Sequence, residues 1–179
     1  MSGPPSVGDP SGPLLRRRDI LEALDRHGVE YLLVGGQAGG AYGAERPTYD
    51  LDICAKWTRE NLDRLGAVLV ELDAGLRLEG SEEPMPVPHR DGRFLEPIEL
   101  STWRCAAGDL DILRGLPAPE LREIQYDELV TRAVTIELDG RPVRVASLDD
   151  VIASKETANR PSDHDALPEL RRLRDRKSR

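Results

Sequence analysis

A short apolar run near the start of this chain ends abruptly at a glycine pair. Residues 30–34 read Glu-Tyr-Leu-Leu-Val, a β-prone sequence, and Gly35 and Gly36 follow directly. Two glycines let the backbone approach a ligand closely, because no Cβ stands in the way. If the chain then opens into a helix, its first free N–H groups suit a phosphate group. The run therefore predicts a strand, a phosphate-sized turn and a short helix.

A second run carries carboxylates at a spacing typical of a metal site. In residues 50–53, Asp50 and Asp52 alternate with Leu51 and Ile53. A strand has a side-chain period of two, so both carboxylates would share one face and both apolar side chains the other. Carboxylate oxygens suit Mg²⁺, which often completes its shell with substrate phosphates. The run predicts a magnesium site near the glycine turn.

A third carboxylate lies on another strand-like run, Gly-Asp-Leu-Asp-Ile-Leu at residues 108–113. We prefer Asp111 to Asp109 because its apolar context is better formed. If this strand pairs with the first, three acidic groups converge where two metal ions about 3.5–4 Å apart could clamp an in-line phosphoryl displacement. The chemistry predicted from these residues is nucleotidyl transfer.

Each of these signals also has an ordinary structural explanation. Most Gly-Gly pairs are plain turns, and an isolated Asp-x-Asp is more often a solvated strand edge than a metal site. The joint pattern, which also includes Arg46 and Asp111, favours metal and nucleotide binding over those explanations.

The order of these motifs resembles the minimal nucleotidyltransferases of the AbiEii/MenT toxin type, which belong to the polymerase-beta-like superfamily. The resemblance rests on the Gly-Gly turn, on Arg-x-Thr-x-Asp-x-Asp at residues 46–52, on the Gly-x-x-Asp strand and on a lysine-bearing helix, and it spans about residues 30–170. It implies an α+β nucleotidyltransferase fold, with a mixed β-sheet, flanking helices and a C-terminal helical segment.

The resemblance also implies the site residues. The implied metal ligands are Asp50, Asp52 and Asp111, which together with Lys155 are also the implied catalytic residues; the implied nucleotide-binding residues are Gly35, Gly36, Arg46, Thr48, Lys155 and Arg160. Asp163 is given a supporting role beside Arg160 or Lys155. One departure is Gly36, where the wider superfamily often has Ser, so that one hydroxyl contact to phosphate is missing.

Lys155 is also singled out by the residue pattern. Ser147 followed by Asp150 is a capping-box-like start to a helix, and Lys155 falls on the inward stripe of that helix. An inward cation needs a partner, which is either a nucleotide triphosphate or a structural carboxylate. Both partners stay open at this point.

The implied reaction is Mg²⁺-dependent transfer of NMP from an NTP to an acceptor hydroxyl, with two Mg²⁺ ions, or Mn²⁺ in their place, and with Asp111 as the general base. By resemblance, the acceptor is the 3′ end of tRNA, and the protein is a toxin restrained by a cognate antitoxin protein. A small-molecule or protein hydroxyl is an alternative acceptor, and a non-catalytic nucleotide-binding module is the alternative from another class. The motif residues describe the donor side, so the acceptor and the NTP both stay open.

Length and composition agree with one small domain. We expect a disordered tail over residues 1–15 and a single nucleotidyltransferase-like domain over residues 16–179, with C-terminal helices from about residue 147. The chain has no apolar run of membrane-spanning length, so we expect a cytoplasmic protein without a membrane partner. Cys54 and Cys105 are expected to be buried free thiols.

Charge excludes one class of protein. A formal net charge of −8 argues against a protein that coats nucleic acid electrostatically. The basic C-terminus, residues 171–179, is either a solvated helix end or a surface that steers tRNA.

Breakers and periodicity predict most elements. The predicted helices cover residues 18–27, residues 37–43, a stretch capped by Thr58, and two C-terminal stretches separated by Pro161, the second capped by Ser162. The predicted strands include residues 99–104 and 109–113 and a hairpin of residues 133–138 and 142–146 around Asp139-Gly140. Residues 82–93 are predicted to be a loop that borders the active site, because three prolines interrupt them.

Overall fold

The computed structural model describes residues 14–81 and 83–177. In chain order, the elements are α1 (Arg17–Arg26), β1 (Tyr31–Leu33), α2 (Gly35–Ala41), β2 (Asp50–Ala55), α3 (Arg59–Glu71), β3 (Gly75–Leu76), α4 (Gly92–Leu95), β4 (Leu100–Cys105), β5 (Gly108–Leu113), β6 (Gly115–Ala118), β7 (Arg122–Gln125), α5 (Tyr126–Leu129), β8 (Val134–Leu138), β9 (Arg141–Val145), α6 (Leu148–Ala158) and α7 (Pro161–Lys177). Most of the predicted tail, the first residue of the predicted loop and the last two residues of the basic C-terminus lie outside the described residues.

The central sheet is mixed, as predicted. Its described strands run in the order β3-β4-β5-β2-β1-β9-β8, and β6 and β7 form a separate two-stranded ladder. Strand β2 is parallel to β5 and antiparallel to β1, while β1 is parallel to β9. The hairpin of β8 and β9 turns at Asp139 and Gly140, which both have positive φ angles of 53° and 77°, as the two-residue turn requires.

The core is built around β2 and β5 in the middle of the sheet. The apolar side chains of these strands, among them Leu51, Ile53 and Ile112, are fully buried. Helix α3 adds Leu65 and Leu69 on its apolar stripe, and it begins where predicted, because the Thr58 side chain accepts the N–H of Asn61. Burial of these large side chains orders the two central strands, which carry the carboxylates.

Two helix boundaries differ from the sequence-based prediction. The helix predicted over residues 37–43 begins at Gly35, so the glycine pair forms its first turn and no loop separates it from β1. Helix α6 ends at Ala158, because Asn159 adopts the left-handed conformation, and α7 begins at Pro161 instead of being capped by Ser162. Proline suits the first helical position, since the N–H that it lacks has no partner there.

Several short segments around the sheet differ from the sequence-based prediction. Leu15, predicted as the last residue of the tail, packs against the core, and the N–H of Arg16 donates to the carbonyl of Ala107. The predictions did not include β3, α4, α5, β6 or β7, and each of these elements is four residues long or shorter. Cys54 and Cys105 are buried free thiols, as predicted. Across the described residues, no helix combines the length and apolarity needed to cross a membrane.

Candidate active site

The register between β2 and β5 places four carboxylates side by side. Asp50 lies opposite Asp109, and Asp52 lies opposite Asp111. Because alternate side chains of a strand share a face, all four point to the same side of the sheet. The pairing therefore brings both candidate third carboxylates next to the first two.

Two arginines distinguish Asp109 from its neighbours. Arg104, which lies opposite Asp109 on β4, donates from Nε and Nη2 to the two carboxylate oxygens at 2.7 and 2.9 Å. The Nη1 atom of Arg77 lies 3.1 Å from Oδ2 of the same carboxylate. Asp109 is thus the acceptor of a buried ion-pair network. Asp111 forms no ion pair within the described residues, and it accepts a hydrogen bond from the side chain of Thr102, which lies opposite it on β4.

The remaining three carboxylates form a cluster that fits a hard divalent cation. Asp50, Asp52 and Asp111 each offer one oxygen, and these oxygens lie within 4.8 Å of one another. The Oδ1 atom of Asp111 is buried and accepts no hydrogen bond from the described residues. An orphaned buried carboxylate oxygen within an all-oxygen donor set is the environment that Mg²⁺ or a similar ion satisfies.

The electrostatics of the cluster call for a positive charge. Burial raises the pKa of Asp111 to about 7, and the negative charge of Asp50 adds to the effect. Burial likewise raises the pKa of Asp52 well above its usual value, with further contributions from Asp50 and Asp111. The pKa of Asp50 is also raised by burial, while the Lys155 cation acts in the opposite direction on Asp50 and Asp52. A bound divalent cation would hold all three carboxylates in the charged form.

Metal binding is therefore expected to release protons. A cation binds the ionised carboxylates. At a pH below their raised pKa values, it must therefore displace the protons that these carboxylates hold. With the pKa of Asp111 at about 7, the apparent affinity for Mg²⁺ or Mn²⁺ should fall as the pH drops from 8 to 6. Calorimetric titrations in buffers of different ionisation enthalpy would count the released protons. An affinity and proton count that stay constant over this range would contradict the expectation.

The glycine pair is required by close packing around the cluster. Gly35 has a φ of +61°, and a Cβ at this position would lie 2.1 Å from Oδ2 of Asp52. A Cβ at Gly36 would lie 2.2 Å from Cγ2 of Thr48. The backbone N–H of Gly36 also donates to the Asp52 carboxylate. The glycine turn therefore sits directly against the carboxylates, as the sequence pattern indicated.

Gly35→Ala is expected to damage the cluster as well as the backbone. The new methyl group would displace the Asp52 carboxylate, and alanine would be strained at positive φ, at a cost of about 1–2 kcal/mol. We expect a lower melting temperature and a loss of metal affinity of at least about tenfold. Gly140→Ala is the matched control, because Gly140 also has a positive φ but open space around its Cβ position. If both variants lost metal affinity equally, the packing argument would be wrong.

The predicted nucleotide-binding residues gather around one cavity of about 140 Å³. Its lining includes Gly35, Gly36, Arg46, Thr48, Asp50, Asp52, Lys155, Arg160 and Asp163. The Nζ atom of Lys155 donates to Oδ1 of Asp163 at 3.0 Å, so the partner of Lys155 in this structure is the structural carboxylate. Asp163 also accepts the backbone N–H of Arg160 at 3.3 Å, so it contacts both residues beside which the sequence analysis put it.

The predicted loop does not border this cavity. None of its described residues, 83–93, lines the cavity. Its Arg90 instead donates from Nη1 to the carbonyl of Leu69 at 2.9 Å, which ties the loop to the end of α3. The apolar walls come from Leu113 and the β6–β7 hairpin on one side and from α6 and α7 on the other. The prediction was wrong because proline content marks a loop without showing which face of the sheet it covers.

Sequence reasoning missed several polar residues around the cluster. Arg77 and Arg104 hold Asp109, and the buried Gln37 donates from Nε2 to Oγ1 of Thr48. One signal was available for Arg104, because a tight turn at residues 106–107 would put it opposite Asp109. Arg77 and Gln37 had no comparable signal. Asp109 is far from Arg77 in the chain, and the rest of α2 lies between Gln37 and Thr48.

The chain is similar to known proteins in its fold and not in its sequence. No protein-family model matches the chain, and no curated protein matches its sequence. A lincosamide antibiotic adenylyltransferase, LnuA, in its lincomycin-bound crystal structure superposes with a TM-score of 0.61 at 13% identity, covering 90% of this chain and 99% of the other. ANT(2'')-Ia in complex with adenylyl-2''-tobramycin superposes with a TM-score of 0.54 at 18% identity, covering 89% and 92%. The chain therefore has the nucleotidyltransferase fold.

Proposed function

We propose that this protein is an Mg²⁺-dependent nucleotidyltransferase that moves NMP from an NTP to an acceptor hydroxyl. The observation that carries the proposal is the cluster of Asp50, Asp52 and Asp111, whose oxygens converge beside a glycine turn. Asp109, their neighbour on the same face, is neutralised by arginines, while these three are left for a cation. We place the protein in the cytoplasm, where NTPs are available.

In the proposed reaction, the acceptor oxygen bonds to the α-phosphorus as the bond to pyrophosphate breaks. Divalent cations bound at the three carboxylates would neutralise the phosphates and lower the pKa of the acceptor hydroxyl. The turn at Gly35 and Gly36 leaves room for phosphate oxygens close to the backbone, and Arg46 and Lys155 neutralise charge on the leaving group. Asp111 is the general base in this proposal, and its carboxylate accepts the proton of the acceptor hydroxyl as the new bond forms.

The cavity favours a small hydroxylated molecule as the acceptor. Its volume is about 140 Å³, and its lining combines apolar walls of Leu113, Leu116 and Leu170 with the carboxylates of Asp50 and Asp52. The fold neighbours point the same way, since one is bound to lincomycin and another to adenylyl-2''-tobramycin. Such walls suit a compact molecule that is mostly buried when bound.

The 3′ end of tRNA is the second candidate acceptor. It is supported by the arginine-rich end of α7, where Arg171, Arg172, Arg174 and Arg176 follow one another closely. Arg171 pairs with Glu156 at 2.7 Å, which reduces its free charge. With this acceptor, the protein would act as a toxin, and a cognate antitoxin protein would restrain it.

Labelled NTPs test the function and the acceptor together. The purified protein is incubated with Mg²⁺ or Mn²⁺, each α-³²P-labelled NTP in turn, and either total tRNA or a panel of hydroxylated antibiotics. Label on an antibiotic supports the first acceptor, and label on tRNA supports the second. If the protein binds NTP but labels neither, a protein hydroxyl is the next acceptor to test. Failure to bind any NTP with metal would overturn the proposed function.

A further inference from the structure

A chain of hydrogen bonds runs from the β8–β9 turn to the cavity. The Asp139 carboxylate accepts two hydrogen bonds from Arg17, from Nε and from Nη2, each at 2.9 Å. Arg17 then donates from Nη1 to Oε1 of Gln37 at 2.9 Å. Gln37 donates from Nε2 to Oγ1 of Thr48 at 2.5 Å. Gln37 is 8% exposed, so its amide depends on these two partners.

The chemistry of these groups sets the direction of every hydrogen bond in the chain. A guanidinium group has donors only, so Gln37 must turn its oxygen towards Arg17 and its nitrogen towards Thr48. The amide nitrogen is also a donor only, so the Thr48 hydroxyl must accept from it. The hydrogen of that hydroxyl stays free to be donated elsewhere. Within residues 14–81 and 83–177, the structure shows no acceptor for it.

Packing places this hydroxyl at the glycine turn. A Cβ built on Gly36 would lie 2.2 Å from Cγ2 of Thr48 and 3.7 Å from its Oγ1. Thr48 and both glycines line the same cavity. The hydroxyl therefore lies beside the backbone that the proposed function assigns to phosphate oxygens.

We propose that Gln37 is a positioning residue that holds the Thr48 hydroxyl as a hydrogen-bond donor to a phosphate oxygen of the NTP. Arg17, held by Asp139, fixes the orientation of the Gln37 amide. This proposal rests on the proposed function, because it needs an NTP in the cavity.

Two substitutions of Gln37 separate this role from a purely structural one. Gln37→Glu keeps an acceptor for Arg17, but its carboxylate also accepts from Thr48 and so removes the hydroxyl hydrogen from the cavity. Gln37→Met breaks the contact with Arg17, yet it leaves the hydroxyl hydrogen free. A positioning role predicts that Glu is the more harmful residue for NTP binding. A structural role predicts that Met is the more harmful one.

The affinity for the NTP is measured by calorimetry with Mg²⁺ and the α,β-methylene analogue of each NTP. We expect Q37E to weaken binding about ten- to a hundredfold, which is the usual effect of losing a hydrogen bond to a charged group. We expect Q37M to weaken binding only a few-fold. Gln125→Glu makes the same chemical change at an exposed position on β7 and should leave the affinity unchanged.

The added charge of Q37E needs its own control. Thr48→Val removes the hydroxyl, and it should weaken binding about as much as Q37E does. In a T48V background, Q37E should then add little, because the hydroxyl it redirects is already gone. If Q37E weakens NTP binding in the T48V background by the same factor as in the otherwise wild-type protein, the effect is electrostatic and the proposal is wrong.

These measurements distinguish failure of the proposed function from failure of the proposed role of Gln37. If the wild-type protein binds none of the four analogues, the proposed function fails and the role of Gln37 fails with it. If the wild type binds one of them and Q37E binds it equally well, only the role of Gln37 is overturned. Should Q37E fail to fold, Thr48→Ser against Thr48→Val decides the matter, since serine keeps the hydroxyl. Equal affinities of those two variants would overturn the proposal.

Discussion

Asp52→Asn is expected to lower kcat/KM for nucleotidyl transfer by at least about a thousandfold, or about 4 kcal/mol of transition-state stabilisation. Asp52 stands at the centre of the cluster, where its carboxylate meets the Gly36 N–H and lies near both other carboxylates. An amide of the same shape removes one negative charge from the metal site without removing the packing. The measurement is steady-state transfer of labelled NMP to whichever acceptor is found active.

Asp149→Asn is the matched control for this loss. Asp149 is exposed on the first turn of α6, so the same chemical change there should leave kcat/KM within about twofold. The loss in the Asp52 variant should also be accompanied by a weaker affinity for the metal ion. Full activity of the Asp52 variant would show that the three carboxylates are not the catalytic cluster.

A second large effect is expected on the stability of the metal-free protein. Asp111→Asn should raise the free energy of unfolding of the metal-free protein by about 1–3 kcal/mol at pH 8. The folded protein raises the pKa of Asp111 from 3.8 to about 7. Between these values, the folded state holds a proton that the unfolded state has lost, so stability falls as the pH rises through this window. The gain from asparagine should therefore shrink as the pH drops from 7 towards 4.

Asp109→Asn is expected to have the opposite effect. Asp109 lies two residues before Asp111 on the same face of β5, but its charge is paired with Arg77 and Arg104 in a buried network. Removal of that charge breaks the ion pairs of Asp109 with Arg77 and Arg104, at a cost of about 3 kcal/mol. Chemical denaturation in EDTA at pH 5 and pH 8 would measure both variants. A destabilised Asp111 variant at pH 8 would contradict the repulsion inferred for the cluster.

The fold was largely predictable because its signals are local. The alternation around Asp50 and the turn at Asp139-Gly140 are properties of adjacent residues, and the structure has both where expected. The nucleotidyltransferase fold, implied by motif order, is confirmed by the comparisons. The AbiEii/MenT type within that fold stays a prediction, as does the tRNA acceptor. Short elements such as β6 and β7 escaped prediction because four residues carry too little periodicity.

The candidate site was likewise predictable only where its signals are local. The spacing of its residues along the chain was enough to single out Asp50, Asp52 and the glycine turn, because strand alternation and backbone freedom act within a few residues. The choice between Asp109 and Asp111 could be argued from the sequence. Its physical reason, the pairing of Asp109 with Arg104 on β4 and with Arg77 just after β3, exists only in the assembled sheet. The partner of Lys155 and the walls of the cavity likewise depend on how α6 and α7 pack. Long-range contacts of this kind leave no local pattern, since residues far apart in the chain meet only once the sheet and helices have assembled.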